Sequence, residues 1–139
     1  LKDLTTNILS AFTTALTGIT YNSETIQVFS SLPAVHIKKY ILLGDIRLSD
    51  ALSQDQNISN CQMDIEIVTR NYYGQANRTE INAIGNSVLS AIIKKRLTIT
   101  SCSMTVTPFL IASTTVQQNE GNEIVLTKNI TIQFNVEET

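Results

Sequence analysis

An α+β fold, a mainly antiparallel sheet with two helices packed on one face as a two-layer sandwich, is what this sequence predicts, and three observations carry it. From Cys61 the residues alternate without a fault, Cys61, Met63, Ile65 and Ile67 on one side and Gln62, Asp64 and Glu66 on the other. That is a strand with one buried face. After Asn71 to Gln75 the period changes, and Ile81, Ile84, Val88 and Ile92 recur at spacings of three and four, along one side of a helix. Near the end Ile130, Ile132, Phe134 and Val136 alternate against Thr131, Gln133 and Asn135, a second strand with one buried face. Helices and such one-sided strands bury their apolar faces against each other.

In chain order, Leu1 to Thr17 predicts an amphipathic helix, with Leu1, Leu4, Ile8, Phe12, Ala15 and Leu16 at helical spacing and Gly18 placed for a left-handed stop. Its threonine pairs, Thr5-Thr6 and Thr13-Thr14, lower its propensity, so its stability comes from docking. Thr25 to Phe29 predicts a short strand and Pro33 a turn or edge. From Ala34 to Leu43 a second strand sets Ile37, Lys39, Ile41 and Leu43 against His36, Lys38, Tyr40 and Leu42, and its apolar later half predicts cover on both faces. Gly44 permits a bulge before Asp45-Ile46-Arg47-Leu48. The stretch Ser49 to Ser59 is polar and without period, and connections of such length are uncommon unless they serve a function, which makes it the best interaction candidate in the chain.

Asn77 with Glu80 three residues on predicts the N-cap of the second helix, and Lys94-Lys95-Arg96 puts positive charge at its carbonyl end. Gly85 costs that helix about 1 kcal/mol relative to Ala and so marks a close approach to the sheet. Leu97 to Thr107 predicts a strand with Cys102, Met104 and Val106 on one phase, Pro108 a stop or bulge, and Phe109 to Val116 an extended continuation. Gln117 to Asn122 predicts a hairpin loop, and Glu123 to Val136 the closing strand.

A chain of 139 residues is most simply one domain over 1–139, able to bury about 68–70% of its unfolded surface without metals or disulfides. Only 16% of residues are charged, so Asn, Gln, Ser and Thr carry the polarity, and a net charge of -2 provides no basic footprint for sequence-specific nucleic-acid binding. Weak self-repulsion suits a protein that assembles. Cys61 and Cys102 fall on apolar phases and read as buried free thiols. With no signal-peptide pattern and no run near 18 apolar residues, the expectation is a reducing cytoplasm and no membrane. The Asn-x-Ser/Thr triplets at Asn57, Asn77 and Asn129 are chance products of an Asn- and Thr-rich chain.

The sequence holds little chemistry. His36, the one histidine, reads as a surface or partly packed side chain, Cys61 and Cys102 lack metal-ligand spacing, and Asp64 with Glu66 reads as a solvated strand face. There is no phosphate loop, nucleophile elbow or dinucleotide fingerprint, so no catalytic residue, metal or cofactor is assigned. Tyr72 and Tyr73, at a strand-to-helix turn, cannot both be buried the same way, which puts one in the core and one on the surface or in an interface.

The order of motifs resembles the tail terminator, or tail completion, proteins of long-tailed bacteriophages, which are neck ring proteins. The resemblance lies in the N-terminal helix, Tyr40-Ile41-Leu42-Leu43-Gly44 with its downstream polar loop, the strand Met63 to Arg70 leading into the Ile81 to Ile93 helix, the Gln117 to Glu123 hairpin and the closing Ile130 to Phe134. It implies a non-enzymatic virion protein of the tail or neck, made in the host bacterial cytoplasm. Such a protein forms a hexameric ring with itself, caps the tail tube and meets the head connector proteins. Departures are the length of the Ser49 to Ser59 loop and the Asn- and Thr-heavy surface, and the adaptors and stoppers of phage necks are the neighbouring types. The subunit or tube contact is expected on Asp50, Gln54 and Asp55, with Asp45 and Arg47 at the loop's base, and otherwise on Arg70, Tyr72 and Tyr73. The alternative is a small non-enzymatic ligand-binding α+β domain with a pocket between helices and sheet.

Overall fold

A computed structural model describes residues 4–33, 37–50, 58–74 and 78–139. In chain order it contains α1 (Thr5–Leu16), β1 (Thr20–Tyr21), β2 (Glu24–Thr25), β3 (Gln27–Phe29), β4 (Lys39–Asp50), β5 (Ile58–Tyr72), α2 (Arg78–Ile92), β6 (Cys102–Glu120) and β7 (Glu123–Glu138). Five strands make one sheet in the order β3-β4-β5-β7-β6, and β1 pairs with β2 apart from it. The α+β architecture is the predicted one, antiparallel throughout except where β3 runs parallel to β4.

The core follows from the alternation. Cys61, Met63, Ile65 and Ile67 of β5 are buried, and the register sets Cys61 opposite Phe134, Met63 opposite Ile132 and Ile65 opposite Ile130 of β7. Over this face α1 lays Ile8, Phe12 and Leu16, and α2 lays Ile81, Ile84, Val88 and Ile92, all buried. Each such side chain contributes about 1.5–3 kcal/mol on leaving water. The Phe12 and Phe134 rings meet at 5.2 Å, which joins α1 to β7 across the core. No side chain caps the start of α1, so packing rather than capping holds it, and Gly18 at φ +96° ends its exit turn as expected.

The start of α2 is bolted down by charge. Glu80 is buried, and its carboxylate accepts from Lys39 Nζ at 2.7 Å and Asn71 Nδ2 at 3.0 Å, which ties the first turn to β4 and β5. Asn77 lies outside the described residues. A Cβ on Gly85 would stand 2.9 Å from the Cδ and Cε of Lys128 and 3.8 Å from Ile67 Cδ1. The close approach read from this glycine is therefore real, and what fills it is chiefly a lysine stem lying over the sheet.

Several expected boundaries move. The strand expected over Thr25 to Phe29 is two pieces, β2 and β3, broken at buried Ile26. Ahead of it Asn22 and Ser23, at φ 50° and 68°, make a tight turn between β1 and β2 of the kind a type I′ hairpin requires. β4 starts at Lys39 and runs on to Asp50, paired as far as Asp50↔Ser59, so both ends of the stretch expected as a loop over Ser49 to Ser59 are strand; residues 51–57 lie outside the described residues, as does His36. Tyr40 and Leu42 are half-buried rather than enclosed, because both helices lie on the other face. Residues 97–101 are not a strand, and β6 begins at Cys102. Val106, expected inward with Met104, is exposed, because the register slips between the two and a one-residue slip turns a side chain to the other face. The last hairpin is tighter than expected, paired up to Glu120↔Glu123, with Gly121 at φ +62° in the first of two loop positions.

Candidate functional site

The sequence-predicted site residues fall in two separate groups along the sheet, one beside the middle of β5 and one at its C-terminal end. In the first group Gly44 and Asp45 together face Asp64, since the register jumps from Leu43↔Ile65 to Ile46↔Met63. Glycine is favoured there because a Cβ would stand 3.1 Å from the Asp64 carbonyl oxygen, closer than ordinary contact. The bulge leaves Asp45 exposed and aims Arg47 across the open face of the sheet. Arg47 Nη1 and Nη2 donate to the two Asp64 oxygens at 3.0 and 3.3 Å, and its Nε donates to Gln62 Oε1 at 3.2 Å. Thr131 Oγ1 donates to Asp64 Oδ1 at 2.9 Å. The Arg47 guanidinium, helped by Thr131, holds the Asp64 carboxyl below the usual carboxylate range against the opposing effect of burial. Beside this network lies a hollow of about 410 Å³ bordered by Leu42, Asp45, Asp64, Glu66 and Thr131.

Arg70, Tyr72 and Tyr73 form the second group, at the C-terminal end of β5. Arg47 stands opposite Gln62, and Arg70 is eight residues further along β5, about 26 Å away at strand spacing. The two groups do not form one site. Both tyrosines are exposed, Tyr72 by 48% and Tyr73 by 52%, so neither is the core residue expected of the pair. Strand β5 ends with Tyr72, and Tyr73 turns outward where its N–H donates to the Asn122 carbonyl. Lys38 Nζ sits 4.5 Å above the Tyr72 ring and 3.1 Å from Glu123 Oε2. A groove of about 680 Å³ opens here, bordered by Lys38, Lys39, Arg70, Asn71 and Tyr72. Each of its cations already faces a carboxylate, Lys38 on Glu123, Lys39 on Glu80 and Arg70 on Glu120, which leaves little positive field for an anionic ligand. Asp50 is in the β4–β5 ladder, and Gln54 and Asp55 lie outside the described residues.

Sequence reasoning expected extended chain from Leu97 to Val116 and assigned no site there; the structure makes it one 19-residue strand, β6, at the sheet's edge. Its register breaks three times between Met104 and Ala112, and there Val106, Phe109, Leu110 and Ile111 are each exposed by 41–44%. The segment after α2 runs along this edge. Lys94, in a left-handed conformation at φ 61°, donates its N–H to the Pro108 carbonyl at 2.9 Å, and Arg96 Nη1 donates to the Met104 carbonyl. Two edge carbonyls are thus covered and Lys94, Lys95 and Arg96 are placed, exposed, on the rim. From Ala112 to Glu120 the register is regular, and no charge appears before Glu120. The available signal was Phe109-Leu110-Ile111, three consecutive apolar residues where a half-buried strand should alternate.

Among the described residues no three His, Cys, Asp or Glu side chains are grouped to hold a metal ion. Burial pushes the Cys61 thiol up to about 12 and raises that of Cys102, so neither is a ready nucleophile. No described helix is long and apolar enough to cross a membrane.

These features define a two-layer α+β domain with one face of its sheet open and an edge strand that exposes apolar side chains. No family model matches the chain, and no curated protein does. Among solved structures it is similar to a chain of the virion of the native gene transfer agent (GTA) particle, with 13% of residues identical, 99% of each chain covered and a TM-score of 0.75. The likeness at this identity is one of fold, held from end to end.

Proposed function

We propose that this chain is a structural virion protein, one subunit of a ring that caps a tail tube and joins it to the head connector, and that it works by assembly without catalysis. The fold likeness to a virion chain, which takes in 99% of both chains, is the observation that supports this reading. An open sheet face and the exposed apolar run Phe109 to Ile111 on the edge strand support it, since free-standing proteins blunt exposed apolar edge segments. Six copies is the number the resemblance to tail terminators implies. Asp45, Arg47, Asp50, Gln54 and Asp55 are proposed to meet the tube or a neighbouring subunit, and Arg70, Tyr72 and Tyr73 form a second contact at the C-terminal end of β5. The ligand-binding alternative is weakened by the groove at Lys38 and Arg70, which is polar, open and internally neutralised, unlike the mostly apolar concave sites of small ligands.

Negative-stain images of the purified chain mixed with tail tubes test the reading. Rings seated on tube ends support it. Bare tube ends beside dispersed single subunits would refute it.

A further inference from the structure

The two ends of the strand order are unequal in a way that makes them complementary. On the β4 side, β3 covers only Tyr40, Ile41 and Leu42, and beyond Leu42 the outer edge of β4 has no partner strand among the described residues. On the other side the outer edge of β6 likewise has no partner strand among the described residues. Counting along the register, Ile111 lies between Leu110, paired with Ile132, and Ala112, paired with Thr131. Those two face Met63 and Asp64 on β5, and Asp64 faces the bulge that carries Asp45. The apolar bulged segment of β6 is therefore level with the open segment of β4, on opposite sides of one molecule.

Strand sense and charge also match. β4, β5, β7 and β6 alternate in direction, so β6 of one copy set beside β4 of the next runs antiparallel to it. The β6 rim carries Lys94, Lys95 and Arg96, while the β4 edge presents exposed Asp45 and a hollow with Asp64 and Glu66. Arg47 is ion-paired with Asp64 and lies within electrostatic reach of Asp45, so one cation stands here among the three acids Asp45, Asp64 and Glu66. The bulges and the covered carbonyls of Met104 and Pro108 discourage plain strand addition over residues 104–108, which leaves side chains to make the contact.

We propose that residues 106–111 of β6, with the adjoining Lys94–Arg96 rim, dock head to tail on the open β4 edge and its Asp45 bulge in a second copy of this chain. The inference rests on the ring reading and names its subunit interface. A contact between two different surfaces is what a closed ring needs, since a patch that met itself would stop at a dimer. Phe109, Leu110 and Ile111 supply the apolar centre, and the lysines pair with Asp45 at its margin.

Cross-linking tests it. Asp45→Cys and Ile111→Cys in one chain sit three strand spacings apart, about 14 Å, beyond the roughly 7 Å a disulfide spans, so they can join only between copies. Mild oxidation should give a ladder of monomer multiples on a non-reducing gel, absent from either single variant. Phe109→Ser with Ile111→Ser, both exposed and thus neutral to folding by circular dichroism, should abolish the ring. Lys95→Glu should weaken association up to about fivefold at low salt, the upper range for an exposed pair, and Asp45→Lys added to it should restore association. A parent chain that stays monomeric refutes the ring reading and this interface together. A parent that forms rings while giving no ladder, or a double serine variant that keeps its rings, refutes this interface alone.

Discussion

Substituting Gly85→Ala separates two accounts of how α2 meets the sheet. If the helix backbone were seated directly on strand backbone, an added methyl would lift the helix and cost more than about 1 kcal/mol. In the structure the atoms it would meet at 2.9 Å are the outer carbons of Lys128, the flexible part of an exposed-ended side chain, with Ile67 Cδ1 at a comfortable 3.8 Å. Lys128 can swing aside at the loss of its 3.2 Å bond to Asn82 Oδ1, an exposed contact worth about 0.5 kcal/mol. Against that stands about 0.5–1 kcal/mol from replacing glycine inside a helix. The expected net is neutral to about 0.5 kcal/mol stabilising, a rise in Tm of about 0–2 °C for a chain of this size. In a Lys128→Ala background the obstacle is gone, and the same substitution should gain the full amount of about 0.5–1 kcal/mol, about 2–4 °C. Urea and thermal unfolding of the four proteins measure both steps. A loss above about 1 kcal/mol in both backgrounds would refute the lysine-filled interface.

Three further expectations follow from the same structure. Ile65→Asp or Ile132→Asp places an unpaired charge in the fully buried layer between sheet and helices, and should leave no cooperative unfolding transition; a soluble variant with the parent's Tm would show the strand phase to be wrong. Because the folded pKa of Asp64 is depressed, its stabilisation is present above the unfolded value of about 3.9 and is lost as pH falls through the lower folded one. The gap in urea midpoint between parent and Asp64→Asn should therefore be constant from about pH 7 to 5 and close toward about pH 2, and a gap unchanged at that acid end would contradict the Arg47 pairing. Assembly should persist from low to physiological salt, since an apolar centre is not screened as exposed ion pairs are over about 8–10 Å; dissociation in that range by light scattering would contradict it.

What could be read from the sequence was whatever one-sided burial writes into it. β5, β7, α1 and α2 each show one face to the core, so Ile65, Ile132, Phe12 and Val88 recur at the period of their element and all are buried. β6 has no such rule along its whole length. Three bulges shift its phase, so Cys102 and Met104 point inward as expected and Val106 does not. Its position at the edge depends on β7 entering between it and β5, a pairing of distant segments that no local period reports. The candidate site was legible in the same uneven way. Gly44 announced the bulge that exposes Asp45, while the Arg47–Asp64 bond joins residues 17 apart and needed the register to be seen. For the tyrosine pair the strand-to-helix turn implies opposite fates for two neighbours, whereas β5 ends with Tyr72 itself and both rings stay outside the core.

The mass of the purified chain in solution, read by light scattering across a concentration series, bears most directly on the central claim that this protein works by forming a ring. A closed ring of six predicts one species near about 92 kDa, six times the 15.3 kDa chain, unchanged as concentration rises because closure leaves no free end to extend. A single species at 15.3 kDa over the whole series would contradict the claim.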